Sequence, residues 1–395
     1  MASTPDLTDV KPLPSEAPMH PTTVAAYEAA FEAHQHRWGE ILQENAERMA
    51  RGSYSLHWMN TDGSTWGKRA KPSSRGLTYT DINKYKGSGE IPTMATWKNF
   101  TPRGSIREPY ADKFPEVADY EVLDKWELWS DNVETLFEEA KARQWNATKD
   151  IAWSELEALP EDLEKATCQL STFLTEVEFV AGDFPAKWLY RIPQEFLEVK
   201  SFLSTQIMDE ARHQEVFRKR AMAGGGLLHA SPGFEWALQA IMEAPTHTMG
   251  TFLLNLLGEG LVLSIFRSGE MIAKTQVDKE IFRRCLQDEA RHVSYGVMQL
   301  KSYIDNHPDP QKCMDDLHRF ADVGELVILT SFSEAALVEP TAILLGGGLK
   351  KIDDGMDGMA KLWRMSVEEY LARCDRAGFD RRDRCKIPLD APWAA

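Results

Sequence analysis

One pentapeptide constrains this chain more than anything else in it. Asp-Glu-Ala-Arg-His occurs at Asp209-Glu210-Ala211-Arg212-His213 and again at Asp288-Glu289-Ala290-Arg291-His292. Each copy holds a Glu-x-x-His unit. On an α-helix, residues three apart lie on one face about one turn from each other, so Glu210 with His213, and Glu289 with His292, can each grip one edge of a metal site. Two such helices face to face, with one carboxylate from each of two further helices, form the dinuclear carboxylate site of a four-helix bundle. Six ligands are therefore expected, four carboxylates and two histidines.

The remaining two carboxylates have few sources. Glu259 is the only acidic residue between Ala244 and Gly269, and it stands among Leu254, Leu257, Leu261 and Val262, a costly place for an unpaired charge. Gly258 and Gly260 beside it would let a neighbouring helix or a substrate come close. An earlier helix offers Glu176 or Glu178. Glu178 is preferred, because Leu174, Ala181 and Gly182 at helical spacing leave more room than Phe173, Phe179 and Val180 around Glu176. Asp209 and Asp288 precede the two ligating Glu residues and could each take the second ring proton of the histidine on the opposite helix. The plainer reading is a surface pairing with Arg212 or Arg291. His20, His34, His36, His57, His229, His247, His307 and His318 lack ligand spacing.

The bulk of the chain excludes other classes. A formal net charge of −16 over 395 residues argues against a nucleic-acid partner and against docking on anionic lipid. Five scattered cysteines without a Cys-x-x-Cys pair fit a reducing compartment. The first 21 residues carry no apolar run, so no signal peptide is expected. Thr251 to Phe266 reads as too short to span a membrane. A soluble cytoplasmic protein is expected.

The pattern along the chain is all-α. Residues 1–22 read as a disordered tail. Residues 23–120 read as a helix over 24–51 followed by a long irregular segment wrapping the body, with Trp58, Trp66, Trp97, Phe100 and Tyr110 suited to lining a pocket. The helical bundle is placed at 121–345 and a helical extension at 346–395. Helices are expected over 124–143, over 163–183 with Pro185 as the stop, from Pro193 to Gly224-Gly225-Gly226, over 234–271 and over 278–305. Two more are expected near 311–338 and 356–377.

With these residues in place, the chain resembles the ferritin-like di-iron carboxylate superfamily. The resemblance rests on Phe202-x-x-x-Gln206-x-x-Asp209-Glu210-x-x-His213, Gly258-Glu259-Gly260 and Asp288-Glu289-x-x-His292, and covers roughly residues 160 to 305. The superfamily includes multicomponent monooxygenase hydroxylases, p-aminobenzoate N-oxygenase, ribonucleotide reductase small subunits and related ligand-binding oxidases. The resemblance implies a ferritin-like bundle whose Glu178, Glu210, His213, Glu259, Glu289 and His292 hold two iron ions, or one manganese and one iron, with dioxygen as co-substrate and Glu210, Glu259 and Glu289 as catalytic carboxylates. Independently, a mixed oxygen and nitrogen donor set suits iron or manganese better than structural zinc.

The implied function is a non-haem monooxygenase or oxidase that hydroxylates or N-oxygenates a small organic substrate. Its electrons would come from an external donor, a ferredoxin or a flavin reductase, since no nucleotide or iron–sulfur motif is visible. A homodimer is in keeping with the resemblance. The alternatives are a radical-generating or ligand-binding oxidase and a non-enzymatic metal-binding protein. Phe217 stands where a reductase subunit would carry a tyrosine one turn beyond the first ligating histidine. Cys285 stands where the N-oxygenase would carry an additional histidine. Tyr295, three residues after His292, reads as a packed helix residue.

Overall fold

The computed structural model describes residues 121–393 apart from 123, 194–195, 230–231 and 333, together with short pieces between 43 and 81. The chain divides into two compact units, 1–62 and 63–395. In the first, the described residues Gln43, Glu47 and Ala50 are helical. The tail at 1–22, most of the helix at 24–51 and the five aromatic residues of the wrapping segment lie outside the described residues. Upstream in the second unit, a tight turn pairs Ser73 and Gly76 through two backbone hydrogen bonds.

From Glu121 onward the described chain is helical, with no strand beyond the Ser73–Gly76 bridge. We label the helices α1 (Val133–Ala142), α2 (Glu161–Leu189), α3 (Leu197–Gly224), α4 (Pro232–Met242), α5 (His247–Arg267), α6 (Gln276–Asn306), α7 (Pro310–Ser331), α8 (Ala335–Gly346) and α9 (Ile352–Ala377). Helices α2 and α3 pack along their length, α5 packs on α6, and α3 meets α6 across the middle. The outer helices α8 and α9 close one side, α8 against α2 and α9 against α5 and α6. One continuous apolar core runs through all of them. The all-α helical bundle expected from the sequence is the fold observed among the described residues.

Several boundaries differ from the sequence reading, each for a local reason. Helix α2 does not stop at Pro185 but continues to Leu189. An interior proline costs about 3 kcal/mol through its lost N–H and its clash with the preceding turn. Here Phe184 and Trp188 are buried on either side of it and anchor the last turns in place. Helix α1 begins only at Val133, because the segment before it turns through a short 3-10 element at Lys125–Glu127. Helix α3 begins at Leu197, four residues after Pro193. The long helix expected over 234–271 breaks after Met242: Pro245 has no N–H to continue it, and Thr246 caps a fresh start by accepting from the Met249 N–H at 3.1 Å. The helix expected over 311–338 is likewise divided, with α7 ending at Ser331 and α8 starting at Ala335.

Helix α5 departs most from expectation. Gly258-Glu259-Gly260 does not interrupt it, and its 21 residues, which contain an 18-residue window of mean hydropathy 1.6, are long and apolar enough to cross a membrane. That window is 83% buried inside the protein, so its apolar faces are already taken up by neighbouring helices. Residues Phe252–Gly258 are wound as a π-helix, and the Glu259 N–H reaches back five residues to the Leu254 carbonyl. Such local widening inserts one extra residue per turn and frequently marks a functional site. Gly296 of α6 permits the close crossing: a Cβ there would lie 2.6 Å from the Asn255 Cβ.

Candidate metal centre

All six residues singled out from the sequence meet at the middle of the bundle, and none is more than 4% exposed. Glu178 comes from α2, Glu210 and His213 from α3, Glu259 from α5, and Glu289 and His292 from α6. Their donor atoms form two overlapping groups, each within 4.8 Å: Glu178, Glu210, His213 and Glu289 in one, and Glu210, Glu259, Glu289 and His292 in the other. Glu176 is half-buried and belongs to neither group, while Glu178 points inward.

The geometry has an approximate twofold character that follows from the repeat. His213 Nδ1 lies 3.1 Å from Glu289 Oε1 and 3.3 Å from Glu210 Oε2. His292 Nδ1 lies 2.8 Å from Glu210 Oε1 and 3.4 Å from Glu289 Oε2. Glu210 and Glu289 thus offer one oxygen to each side, in the manner of bridging carboxylates. Glu178 flanks the His213 side, with Oε2 4.0 Å from Nδ1, and Glu259 flanks the His292 side, with Oε1 3.8 Å from Nδ1.

Hydrogen bonding shows what these atoms are not for. Seven buried atoms of the cluster make no well-formed hydrogen bond: Glu178 Oε1, both oxygens of Glu210 and of Glu289, and Nδ1 of both histidines. An isolated buried acceptor of this kind costs about 1–3 kcal/mol, more when charged. Concentrating seven of them at one point makes sense when a cation satisfies them together. The carboxylate and imidazole set therefore fits two metal ions. Burial pushes the Glu178 carboxyl well above its ordinary range, reinforced by the charges of Glu210 and Glu289. Burial does the same to Glu259, against the pull of His292. A bound cation reverses that balance by favouring the ionised forms.

The outward ring nitrogens are held as the pentapeptide suggested. His213 Nε2 lies 3.2 Å from Asp288 Oδ2, and His292 Nε2 lies 3.4 Å from Asp209 Oδ2, each across to the opposite helix. The pairing with arginine is present as well. Arg212 donates to Asp209 and, at 2.8 Å, to Asp288, while Arg291 donates to Asp209 at 2.7 Å and to Asp288 at 2.6 Å. The four side chains form a closed, buried lattice in which each aspartate holds a histidine and is held by two arginines. It fixes both histidines with Nδ1 facing the cluster.

Sequence reasoning missed the residues that complete this surrounding. Trp145 donates its indole N–H to Asp288 Oδ2 at 2.7 Å and lies under the Arg212 guanidinium at 4.9 Å. Gln144 accepts from Arg212 at 2.8 Å. On the other side, Gln206 and Asn255 donate to Glu259, at 2.9 Å to Oε1 and 2.8 Å to Oε2. Gln206 stands in the motif that carries the resemblance, and it shares a face of α3 with Glu210 four residues on, but its bond to Glu259 was not anticipated. Cys285 is buried on α6 one turn before Glu289, and burial pushes its thiol up. Tyr295 donates to the Leu128 carbonyl at 2.9 Å, the packed role expected of it. Gly260 admits a neighbouring helix as expected, since a Cβ there would meet the Arg373 guanidinium of α9 at 2.5 Å.

An apolar cavity opens against the cluster. Its walls come from α2, α4, α5 and α7, including Ala181, Leu238, Leu254, Leu257, Ile328 and Phe332. Among the described residues, Glu178, Glu259 and Glu289 are the only ionisable ones that line it.

No family model and no curated protein matches the chain. Among solved structures the chain is similar to two single-residue variants of an R2-like ligand-binding oxidase with aerobically reconstituted Mn/Fe cofactor. Each is 18% identical over 63% of this chain and 94% of that one, with TM-scores of 0.48 and 0.49. An R2-like ligand-binding oxidase from Sulfolobus acidocaldarius is similar at 16% identity over 57% of this chain and 90% of that one, with a TM-score of 0.40. What the chain itself displays is a helical bundle with a buried carboxylate–histidine cluster able to hold two metal ions.

Proposed function

We propose that this protein is a dinuclear non-haem metal oxidase that uses dioxygen to oxidise a small, largely apolar organic molecule. The observation that carries the reading is the set of seven buried oxygen and nitrogen atoms that face one another across the bundle without a well-formed hydrogen bond. Glu178, Glu210, His213, Glu259, Glu289 and His292 would hold two iron ions, or one manganese and one iron. The metal pair supplies dioxygen reduction, which side chains alone do not perform.

The chain's own residues do the rest. Glu210, Glu289 and both histidines would hold the two ions between α3 and α6, and the Asp209–Arg291–Asp288–Arg212 lattice keeps the imidazoles from turning. The apolar cavity excludes water next to the oxidising centre and presents the substrate to the face bounded by Glu178, Glu259 and Glu289. Because the described lining offers no other charged group, recognition rests on shape and apolar contact. An external ferredoxin or flavin reductase would supply electrons, and a cytoplasmic, homodimeric protein is consistent with the charge and the resemblance.

Two outcomes share this site: oxidation of a bound ligand without oxygen transfer, and insertion of oxygen into it as in a monooxygenase. The apolar lining suits a bound ligand without singling out a position for oxygen insertion, so ligand oxidation is the primary reading and monooxygenation the second. The test is elemental analysis of purified protein reconstituted with iron, or with manganese and iron, followed by dioxygen uptake by the reduced form. About two ions per chain with stoichiometric uptake supports the proposal; fewer than one ion per chain after reconstitution overturns it. Product analysis under 18O2 then separates the two outcomes.

A further inference from the structure

The near symmetry of the cluster is broken at its two outer carboxylates. Glu259 has both oxygens occupied by side-chain amide donors, Gln206 on Oε1 and Asn255 on Oε2. Glu178 has no equivalent: its Oε1 is buried without a hydrogen-bond partner among the described residues, and it fronts the apolar cavity. Both donors to Glu259 are specific placements. Asn255 reaches it from four residues earlier on α5, on the same face of the helix. Gln206 gives its amide N–H2 to Glu259 and leaves its own buried carbonyl oxygen unpartnered. That arrangement is unfavourable for packing by itself and is explained by what it does to Glu259.

We infer that the two metal positions are unequal, and that Gln206 and Asn255 are positioning residues that make the Glu259–His292 position the first to fill. This rests on the reading of the cluster as a two-metal site. The physical reason is preorganisation. Two donors hold the Glu259 carboxylate in one orientation before any ion arrives, so the first ion does not have to order it. Glu178 must be ordered by its ion, and its position fills second. The same freedom leaves Glu178 able to move as a substrate enters the cavity it lines.

The test is site-resolved occupancy. Metal-free protein receives one equivalent of Mn(II), and anomalous diffraction locates the ion; calorimetric titration of the same protein gives the two dissociation constants. The expected result is manganese between Glu259 and His292, with a second, weaker binding step. Asn255→Ala and Gln206→Ala should each raise the first dissociation constant about 10- to 100-fold, the usual size for a partner that orients a ligand. The second step should stay within about twofold, since neither residue touches Glu178. Manganese found first beside Glu178 and His213, or spread equally over both positions in the unaltered protein, overturns the inference while leaving the two-metal reading intact. Binding of no manganese at either position overturns both. The unaltered protein decides the order of filling, so the inference does not depend on the variants folding.

Discussion

The two faces of the metal cluster are built on opposite principles. On one face, Asp209, Asp288, Arg212 and Arg291 are buried, fully cross-linked and closed over by Trp145 and Gln144. On the other, Glu178 and Glu259 look into a cavity walled by leucine, alanine and phenylalanine. The first face has a partner for almost every charge, and the second leaves Glu178 Oε1 and both oxygens of Glu289, which also lines the cavity, without a well-formed hydrogen bond. A buried charge network of the first kind gives up mobility in exchange for fixed geometry. The second keeps open positions where ions and a substrate arrive. The repeated pentapeptide serves both at once, because on a helix its Glu and His point inward while its Asp and Arg meet across the gap between α3 and α6.

This contrast can be tested directly, and the largest effects belong to the inner ligands. Glu210→Ala and His292→Ala should reduce bound metal from about two ions per chain to fewer than one and abolish dioxygen uptake. His318→Ala, remote from the cluster, should leave both unchanged. Retention of two ions in both ligand variants by elemental analysis would mean that the cluster is not a metal site.

Next come the lattice residues. Arg291→Ala leaves two buried aspartates sharing Arg212 alone, and breaking buried pairs in this way costs up to about 3–5 kcal/mol, read as a lower denaturant midpoint of the metal-free protein. Loss of less than about 1 kcal/mol would show that water or movement relieves the lattice, and the rigid-face description would fail.

On the cavity side the expected effect is smaller in stability and larger in function. Ala181→Leu adds bulk to the apolar wall, at a cost of about 1–3 kcal/mol for overpacking. Metal content should remain at two ions per chain, while oxidation of an apolar substrate slows. Unchanged turnover would remove this cavity from the substrate path.

The smallest effect tests the break that separates α4 from α5. Thr246→Ala removes the cap on the Met249 N–H and should cost about 1 kcal/mol, with metal content unaltered. A loss of metal in that variant would tie the helix start to the centre 13 residues further on, at Glu259.

Much of the centre was legible in the residues alone. Glu210, His213, Glu289 and His292 are marked by spacing, because a three-residue step on a helix fixes which side chains share a face. Glu259 is marked by isolation, a single acid in an apolar run. Glu178 over Glu176 was legible as the choice with smaller neighbours, and the structure brings Glu178 and not Glu176 into the cluster. The helix boundaries were less legible. Pro185 reads as a stop, yet the burial of Phe184 and Trp188 carries α2 past it. Asp131 and Asn132 gave too weak a signal to show that α1 begins only at Val133.

The sequence by itself determined that this chain is helical and that two copies of one unit must face each other, since local periodicity and residue type suffice for both. Only the tertiary structure decided how the copies cross: His213 reaches Asp288 and His292 reaches Asp209, pairings between residues far apart in the chain. It alone brought Trp145 to Asp288, and Gln206 and Asn255 to Glu259. The physical reason is that spacing constrains neighbours along one helix, whereas hydrogen bonds between helices depend on packing angle and register, which are set by the whole core.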